Sequence, residues 1–236
     1  MKRIVLLKLS GEALAKTDGF GLDMEKVSNV AKEIKNLKDT GVSLGIVIGA
    51  GNIWRGRDAE ENGMQRADAD YMGMIGTILN ALALESALKS LGVKTRTMSA
   101  LQVGNVVEPY NRRKALEYLD QDEIVIFAGG TGHPFFSTDT TSALRAAEIN
   151  AEKILMAKNG VDGVYDDDPK TNPNAKKFTK MTFDDILNKK LKVMDLTAAT
   201  LCSENNIEVI VFDMNVSGNI AKAIDHPEIG TLITKK

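Results

Sequence analysis

Four segments carry the glycine, hydroxyl and charged side chains that commonly bind phosphate, and each follows an apolar run with the composition of a buried strand. They are, in chain order, KLSGEAL at 8–14, IVIGAGNIWRG at 46–56, GGTGHPFFSTDTTSALR at 129–145 and NGVDGVYDDDP at 159–169. Main-chain N–H groups in glycine-rich turns and at helix N-termini attract anions, and lysine and arginine pair with phosphoryl oxygens. Together these residue types could bind or transfer a phosphate group.

The first segment places a lysine at the end of a predicted strand. Lys8 lies near the end of the run IVLLKL, and Ser10 and Gly11 follow at once. The ammonium could meet phosphoryl oxygens as a point charge while the backbone N–H groups of Ser10 and Gly11 surround them. The structural alternative is a lysine that extends its charge to water beside an ordinary turn, and this segment alone leaves both open.

The second segment is close to a dinucleotide-binding loop but lacks its third glycine. After Gly49 and Gly51 that glycine would fall at position 54, where the chain has Trp54, and the P-loop pattern GxxxxGK[ST] is missing as well. Main-chain N–H groups around Gly51 could still approach a ligand, and Arg55 could bind a pair of oxygens. The alternative is a strand-ending turn with a surface arginine. We interpret Trp54 as a packing residue.

The third segment is the most specific local signal in the chain. Three glycines follow a predicted strand, and Ser137, Thr138 and Asp139 then open a predicted helix, whose free N–H groups attract anions. The hydroxyl of Thr131 adds a donor. Ser137 or Asp139 could also serve simply as the N-cap, which is compatible with phosphate binding. We interpret His133 as a structural or substrate-contacting residue rather than a general base.

The fourth segment combines turn residues with an acidic run, Asp166 to Asp168. These carboxylates could bind Mg²⁺, the ribose of a nucleotide, or only water, and Tyr165 offers an aromatic face to a base. The Asp-Gly pair in VDGVY predicts a tight hairpin. Two further carboxylates, Asp70 and Asp195, lie where each could cap a helix.

Apolar runs of strand length alternate with helical patterns along the chain. The predicted strands cover 4–9, 43–48, 93–98, 123–129, 153–157, 208–212 and 231–234, and the predicted helices cover about 23–41, 66–91, 138–150 and 195–206. Because Val- and Ile-rich strands alternate with helices, we predict one α/β domain over residues 1–236, with a mainly parallel sheet covered on both faces. Ligands bind such sheets at the carboxyl ends of the strands, where all four segments lie.

Composition restricts the partners and the compartment. The 236 residues carry 30 basic and 32 acidic side chains and no basic tract, which argues against broad attraction to nucleic acid. The single cysteine, Cys202, excludes an intrachain disulfide and a multi-cysteine zinc site, and it fits a reducing cytosol. The N-terminal run IVLL is short for a signal peptide, and no stretch approaches the roughly 20 apolar residues of a membrane span. We therefore expect a cytoplasmic protein without membrane or nucleic-acid partners.

Taken together, these segments resemble the amino acid kinase superfamily and, within it, the bacterial uridylate kinases. The resemblance runs along nearly the whole chain, through KLSGEAL, GFGLD, GAGNIWRG, RADADYMGM, RTMSA, GGTGHPFFSTDTTSALRA, VDGVYDDDP, LKVMDLTA, VFDMN and GTLIT in this order. The motifs GTGHPFFSTD and KVMDLTA separate these kinases from relatives that phosphorylate acylglutamate, carbamate or aspartate.

The resemblance implies a three-layer α/β/α sandwich and the reaction of ATP with UMP to give ADP and UDP, a step of pyrimidine nucleotide biosynthesis. Mg²⁺ would accompany ATP, bound mainly through the nucleotide phosphates, with no protein ligand assigned to it. The resemblance also implies a cytosolic homohexamer that GTP activates and UTP inhibits. Residues 1–150 would mainly bind UMP and form the oligomer, and residues 151–236 would mainly bind ATP.

The matching motifs assign residues to each ligand. Those for ATP are Lys8, Leu9, Ser10, Gly11, Gly51, Arg55, Asn159, Tyr165 and Asp168. Those for UMP are Ala50, Asp70, Thr131, Gly132, His133, Pro134, Phe135, Phe136, Ser137 and Thr138. Those for the activator GTP are Lys16, Thr17, Asp18, Gly19, Phe20 and Gly21, with Arg96 as a further candidate.

Phosphoryl transfer needs alignment and charge stabilisation more than covalent chemistry. Lys8, Arg55, the glycine-loop amides and the helix N-terminus at 138–139 would neutralise the oxygens that gain charge. As a hypothesis, Asp139 and Asp195 orient Lys8 or Mg²⁺. Many relatives have three glycines where this chain has Gly49-Ala50-Gly51, and the added methyl group could crowd the ligand.

Two other functions remain open at this stage. One is another kinase of the same fold that acts on an acyl or carbamoyl substrate, and the other is a nucleotide-binding protein without catalysis. A screen of phosphate acceptors would distinguish a uridylate kinase from a kinase of acyl or carbamoyl substrates. The full set of charged residues argues against a nucleotide-binding protein without catalysis. An NAD(P)-binding protein is disfavoured by the missing third glycine.

Overall fold

A nine-stranded sheet runs through the centre of the computed structural model, which describes residues 2–235 apart from 57–62, 168, 170, 173, 190 and 192. The strands within these residues are β1 (Ile4–Leu9), β2 (Ser43–Ile48), β3 (Thr95–Ser99), β4 (Glu108–Pro109), β5 (Ile124–Ala128), β6 (Lys153–Lys158), β7 (Val164–Tyr165), β8 (Lys177–Phe178), β9 (Lys180–Thr182), β10 (Glu208–Asp213) and β11 (Thr231–Thr234). The order across the large sheet is β4-β3-β5-β2-β1-β6-β10-β11-β9, and β7 pairs with β8 separately. Every pair in the large sheet is parallel except β10 with β11.

Helices cover both faces of this sheet. They are α1 (Met24–Lys38), α2 (Arg66–Ser90), α3 (Arg112–Asp120), α4 (Thr138–Glu148), α5 (Phe183–Lys189), α6 (Leu196–Glu204) and α7 (Asn219–Lys222), with short 3₁₀ helices at Gly11–Leu14 and Pro227–Ile229. Val5, Leu7 and Leu9 of β1 lie in a core with α1 and α2. Leu6 lies in a second core with α4 and α6. Successive strand residues point to opposite faces, so the predicted three-layer α/β/α sandwich is confirmed.

The strand order explains why the four segments meet. They follow β1, β2, β5 and β6, which lie side by side in the order β5-β2-β1-β6. Because these strands are parallel, their carboxyl ends share one edge of the sheet. The same alternation places Lys8 on the face of Leu6, toward α4, and away from the core that contains Leu7 and Leu9.

Several short elements differ from the sequence-based expectation. The seven predicted strands are present, but β4, β7, β8 and β9 were not predicted, and neither were α3, α5 and α7. The four unpredicted strands have only two or three residues, which is too short for a periodic pattern to be recognised. The prediction of a tight hairpin at VDGVY is wrong. Strand β7 pairs with β8, twelve residues further on, and no strand pairs across the Asp162-Gly163 dipeptide among the described residues. The backbone N–H of Val164 instead donates to Thr231 Oγ1 of β11 at 2.8 Å.

Helix α2 combines a buried face with an exposed apolar one. It is the one described helix long and apolar enough, by length and composition, to cross a membrane. Its residues Ala81, Leu84 and Leu88 are fully buried against the sheet, as in the core helix of a globular fold.

A buried pair of asparagines fixes the glycine turn after β2 against α2. The side-chain amides of Asn52 and Asn80 donate to each other's oxygens at 3.0 and 2.7 Å. Asn80 also donates to the carbonyl of Gly49 at 2.7 Å, and Asn52 donates to the carbonyl of Gly21 at 2.9 Å. Both asparagines are completely buried, so their hydrogen bonds have no competition from water.

Substitution of Asn80 tests this pair. We expect Asn80→Leu to lower the free energy of unfolding by about 2–4 kcal/mol, because it leaves the Gly49 carbonyl and the Asn52 amide buried without partners. Chemical denaturation followed by circular dichroism measures the change. Ser90→Ala, at the exposed end of the same helix, is the control and should stay within about 0.5 kcal/mol. Equal stability of the two variants would contradict the role given to Asn80.

Candidate active site

The first three segments come into contact around Gly49. A Cβ placed on Gly49 would lie 3.4 Å from the backbone nitrogen of Gly11 and 3.6 Å from Thr138 Oγ1. A Cβ on Gly11 would lie 2.6 Å from the Gly49 carbonyl oxygen and 2.5 Å from Asn52 Oδ1, closer than any side chain allows. Glycine at position 11 is therefore required for the turns after β1 and β2 to approach each other.

Lys8 is buried in an ion pair at this meeting point. Its ammonium lies 2.9 Å from Asp139 Oδ1, in the first turn of α4, and the residue is only 7% exposed. The alternative of a lysine that extends its charge to water is therefore wrong. Because Lys8 faces α4, the third segment supplies the counter-charge for the first.

The surroundings of Asp139 lower the pKa of its carboxyl group. Burial by itself raises the pKa of the Asp139 carboxyl, but attraction to the ammonium groups of Lys8 and Lys158 outweighs it. Hydrogen bonds from Lys8 and from the backbone N–H of Asp195 act in the same direction, so the net pKa lies below its usual range. Asp139 is thus ionised at neutral pH and is the carboxylate partner of the Lys8 ammonium.

Asp195 connects the beginnings of two helices. Its carboxylate accepts from the backbone N–H of Ala198 at 2.7 Å, which makes it the predicted N-cap of α6. It also accepts from the hydroxyls of Ser137 and Thr140, and the latter bond is 2.9 Å long. Ser137 is itself the N-cap of α4. The side chain of Asp195 therefore does not contact Lys8, and its link to that residue runs through Asp139.

Arg55 lies on the opposite side of the glycine turn and is half-exposed. Its guanidinium donates to the Gly51 carbonyl at 3.2 Å and lies 3.3 Å from Glu12 Oε1. Ala50 is buried and does not adopt a positive φ, so the backbone conformation does not require glycine at this position. The methyl group of Ala50 is directed toward Gly76 of α2, where an added Cβ would lie only 2.9 Å away.

A cavity opens beside this turn, between α2 and the loop that precedes α4. Its lining combines main chain with apolar and polar side chains: Ala50, Gly51, Trp54, Gly56, Ala69, Asp70, Gly73, Met74, Thr77, Gly130, Phe136, Thr138 and Thr141. Trp54 is half-buried and donates from its indole N–H to the Ala69 carbonyl at 2.9 Å, which agrees with a packing residue. We call this the first cavity.

Asp70 does not cap α2, contrary to one interpretation of the sequence. It is the fifth residue of the helix and accepts from the backbone N–H of Phe135 at 2.7 Å. Arg66, one turn earlier, lies 3.7 Å from the same carboxylate and 5.4 Å from the ring of Phe135. Asp70 therefore joins α2 to the GGTGHPFFSTD loop at the rim of the first cavity.

The remaining residues of that loop are divided between two sides. Thr131 and His133 line a second cavity, next to Tyr110, Arg145 and Glu148. Thr131 Oγ1 also accepts from the backbone N–H of His133 at 3.2 Å. Gly132 adopts a positive φ, and its backbone N–H donates to the Gly129 carbonyl, while Pro134 continues the chain toward Phe135. The loop is thus a folded unit whose two faces border different cavities.

The fourth segment borders a third cavity of about 860 Å³ beyond the end of β6. Lys158, Tyr165 and Val193 are among its lining residues, and the hydroxyl of Tyr165 donates to Asp162 at 2.7 Å. Asn159 accepts from the amide of Asn215 at 2.8 Å. The predicted ligand Asp168 lies outside the described residues. Within the part of the chain that the structure describes, no group of three or more His, Cys, Asp or Glu side chains could hold a metal ion.

The segment 16–21 and Arg96 lie apart from each other in the structure. Gly19 and Gly21 adopt positive φ. The Gly21 N–H donates to the Asn52 carbonyl at 2.7 Å, so the segment contacts the glycine turn after β2. Arg96 instead pairs with Glu123 at 2.7 Å and lies over the ring of Tyr118 at 5.2 Å.

Three features near the site were not expected from the sequence: Lys158, Glu12 and the Asn52–Asn80 pair. The signal for Lys158 is a lysine that ends a buried strand in KILMAK, the position that Lys8 has near the end of β1. Glu12 lies within KLSGEAL, but its carboxylate becomes informative only once the fold brings Arg55 beside it. No local pattern marks Asn52 or Asn80.

Comparisons with known proteins agree with this architecture. Residues 3–213 match the amino acid kinase family. A protein from Limosilactobacillus reuteri named uridylate kinase is 56% identical over 229 residues, covering 97% of this chain and 95% of that protein, and another from Pediococcus pentosaceus is 54% identical with the same coverage. The crystal structure of UMP kinase from Bacillus anthracis is 41% identical, with a TM-score of 0.96 over 99% of this chain and 96% of that one.

The depressed pKa of Asp139 leads to a test of the Lys8–Asp139 pair. A carboxyl whose pKa is lower in the folded protein contributes stability above its unfolded pKa and loses it as the pH falls through the folded pKa. We expect Asp139→Asn to lower the free energy of unfolding by about 2–4 kcal/mol near pH 7 and by less near pH 3.

Chemical denaturation at both pH values measures this difference. Asp39→Asn provides the matched control, because Asp39 pairs with Lys35 at 2.5 Å on the exposed end of α1. That exposed pair should contribute at most about 1 kcal/mol. A destabilisation by Asp139→Asn that grows toward acid pH would contradict the assignment.

Proposed function

The chain belongs to the amino acid kinase family, and on this premise we propose that it is a UMP kinase, which transfers the γ-phosphoryl group of ATP to UMP and releases ADP and UDP. The observation that carries the proposal is the Lys8–Asp139 ion pair, which lies where the glycine turns meet at the carboxyl ends of adjacent parallel strands. Its relatives at 54–56% identity, which cover nearly its whole length, are named uridylate kinases.

The chemistry requires two anions to approach each other. An oxygen of the UMP phosphate attacks the γ-phosphorus of ATP, and the bond from that phosphorus to the β,γ-bridging oxygen breaks. The UMP phosphate is already anionic, so no strong general base is needed. Lys8, Arg55, and the backbone N–H groups of the glycine turns and of the first turn of α4 neutralise the oxygens that gain charge. Asp139 keeps Lys8 oriented, and Asp195 supports Asp139 and the N-terminus of α4.

The proposed binding sides follow from the cavities. UMP occupies the first cavity, where Ala50, Asp70, Phe136 and Thr138 are already lining residues, and Asp70 accepts from the ribose hydroxyls. ATP lies across the turn of Ser10 and Gly11 and extends its adenosine toward Tyr165 and the third cavity. On this proposal the part before residue 150 mainly serves UMP and the part after it mainly serves ATP. Asn159 and Asp168 would contribute to the adenosine side.

Mg²⁺ would be held mainly by the phosphate oxygens of ATP. Asp139 is already paired with Lys8, and the described residues contain no carboxylate cluster that could form a cage. Mg²⁺ in nucleotide sites commonly keeps several waters and few protein ligands. When bound, the ion would neutralise phosphate charge, and the side chains above would orient the two nucleotides.

Regulation and assembly form a further part of the proposal. We infer that GTP activates the enzyme through the segment 16–21, which contacts Asn52 beside the active site, with Arg96 as a second candidate contact, and that UTP inhibits it. A homohexamer is supported by an apolar stripe on the outer face of α2, formed by Tyr71, Met72, Ile75 and Leu79, of which Ile75 is 61% exposed. The proposed setting is the cytoplasm, in pyrimidine nucleotide synthesis.

An acceptor screen tests the activity. We expect ADP release with UMP, less with CMP, dUMP or TMP, none with acylglutamate or carbamate, and faster release with GTP present. Lys8→Met should lower kcat by about 100-fold or more, since it removes charge at the transferred group. Lys35→Met, on the exposed face of α1, should leave kcat unchanged.

Other outcomes decide against the proposal. ADP release with an acyl or carbamoyl acceptor would favour a different kinase of this family. Binding of ATP and UMP without turnover would favour a nucleotide-binding protein. If Lys8→Met kept the wild-type kcat and only weakened ATP binding, stabilisation of the transition state by Lys8 would be refuted.

Substitution of Asp70 tests recognition of the ribose. Asp70→Asn keeps an oxygen that can accept from the Phe135 N–H but removes the charge, so the loop should stay in place. We expect the KM for UMP to rise by about 10-fold or more, since hydrogen bonds to charged groups contribute about 1.5–3 kcal/mol. Discrimination between UMP and dUMP should shrink, and the KM for ATP should change little.

Steady-state kinetics with both nucleotides measures these effects. Asp68→Asn is the control, because Asp68 is exposed on the first turn of the same helix. Unchanged discrimination against dUMP in Asp70→Asn would show that Asp70 does not contact the ribose.

A further inference from the structure

Lys158 ends β6 next to the strand that carries Lys8. In the parallel register β1 pairs with β6 through Leu9 and Ala157, so Lys158 lies one residue further toward the shared carboxyl edge. Its side chain is partly buried and its ammonium donates to the carbonyl oxygen of Val193 at 2.9 Å. Lys158 is therefore held at the same edge of the sheet as the Lys8–Asp139 pair.

The charge of Lys158 has no carboxylate of its own. Among the residues that the structure describes, no carboxylate forms an ion pair with it, and Asp139 is already bonded to Lys8. Burial, followed by repulsion from Lys8, lowers the pKa of Lys158, and the attraction of Asp139 offsets this only in part. A partly buried ammonium without a counter-ion is unfavourable for folding. An apolar residue at this position would be compatible with the strand and would avoid that cost. An anion beside Lys158 would supply the counter-charge that this ammonium lacks.

The surroundings of Lys158 indicate where that anion lies. On one side Lys158 interacts with Lys8 and Asp139, where the phosphoryl group is transferred. On the other side it lines the third cavity, beside Gly160 and Val164 and on the side assigned to adenosine. A nucleoside triphosphate that joins the two places must carry its phosphate chain past this ammonium.

We propose that Lys158 is a further catalytic residue, whose ammonium binds the β-phosphate of ATP and stabilises it as it becomes the terminal phosphate of ADP. This inference rests on the proposed UMP kinase activity. When the bond between the γ-phosphorus and the bridging oxygen breaks, its electron pair stays on that oxygen. Lys158 donates a hydrogen bond to the β-phosphate that gains this charge and keeps its own protons, so no other reactant is needed. In this proposal Lys8 stabilises charge on the transferred phosphoryl group, and Lys158 stabilises charge on the leaving group.

The test separates the charge of Lys158 from its hydrogen bond to Val193. Lys158→Gln removes the charge but keeps an N–H that can donate to the Val193 carbonyl, and Lys158→Arg keeps a charge. Lys153→Gln is the matched control at the opposite end of β6, where the Lys153 ammonium is buried and donates to the Ile224 carbonyl at 3.2 Å. Circular dichroism checks that each variant folds, and kcat and the KM for ATP are measured with UMP as acceptor.

We expect Lys158→Gln to lower kcat by more than about 10-fold, with a smaller change in the KM for ATP, because the interaction strengthens as the leaving group gains charge. Lys158→Arg should recover part of the loss, and Lys153→Gln should stay within about 2-fold of the wild type. A kcat for Lys158→Gln within about 10-fold of the wild type, or an equal loss in Lys153→Gln, overturns the proposal. Failure of the wild-type protein to phosphorylate UMP would overturn the proposed function instead.

Discussion

The buried ion pair between Lys8 and Asp139 is the interaction on which the geometry of the candidate active site depends. Removing a lysine ammonium from water at 7% exposure is costly, and a carboxylate fixed beside it offsets that cost. The fold supplies this counter-charge from the first turn of α4, and that turn is fixed by Ser137 as its cap and by Asp195 from the start of α6. Strand β1 and helices α4 and α6 are far apart in the chain, and these contacts fix their relative positions. The parallel sheet sets the distances between them.

Three cationic side chains lie near the strand ends of the site, and they differ in how they are paired. Lys8 is neutralised by Asp139, and Arg55 is only loosely paired with Glu12, whereas Lys158 is bonded to a carbonyl group. A cation without a carboxylate partner is unfavourable in an empty site and favourable in one that receives a triphosphate. On the proposed function, Lys158 lowers the electrostatic cost of bringing two anions within reaction distance.

Much of this arrangement could be predicted from the sequence, because the main signals are local. The runs at β1 and β2 have the length and apolar character of buried strands, and their boundaries match the structure residue for residue. Ser137 was recognised as a candidate cap because capping involves only the following two or three residues. Predictions that required more than a local pattern were less successful. The Asp-Gly pair of VDGVY suggested a tight hairpin, yet contact with Thr231 decided the position of Val164. Likewise, Asp70 was a candidate helix cap because it lies near the start of α2. Its carboxylate instead accepts from the backbone N–H of Phe135 at the rim of the first cavity.

The sequence by itself therefore determined the fold class, the family and the edge of the sheet where ligands bind, since apolar periodicity and glycine-rich motifs are properties of neighbouring residues. Only the tertiary structure decided which charges face each other. Residues 8 and 139, 12 and 55, and 52 and 80 are separated by 28 to 131 positions, and no local pattern links them. Their pairing follows from strand order and from the alternation of side chains across β1, which places Lys8 toward α4 while Leu7 and Leu9 fill the opposite core.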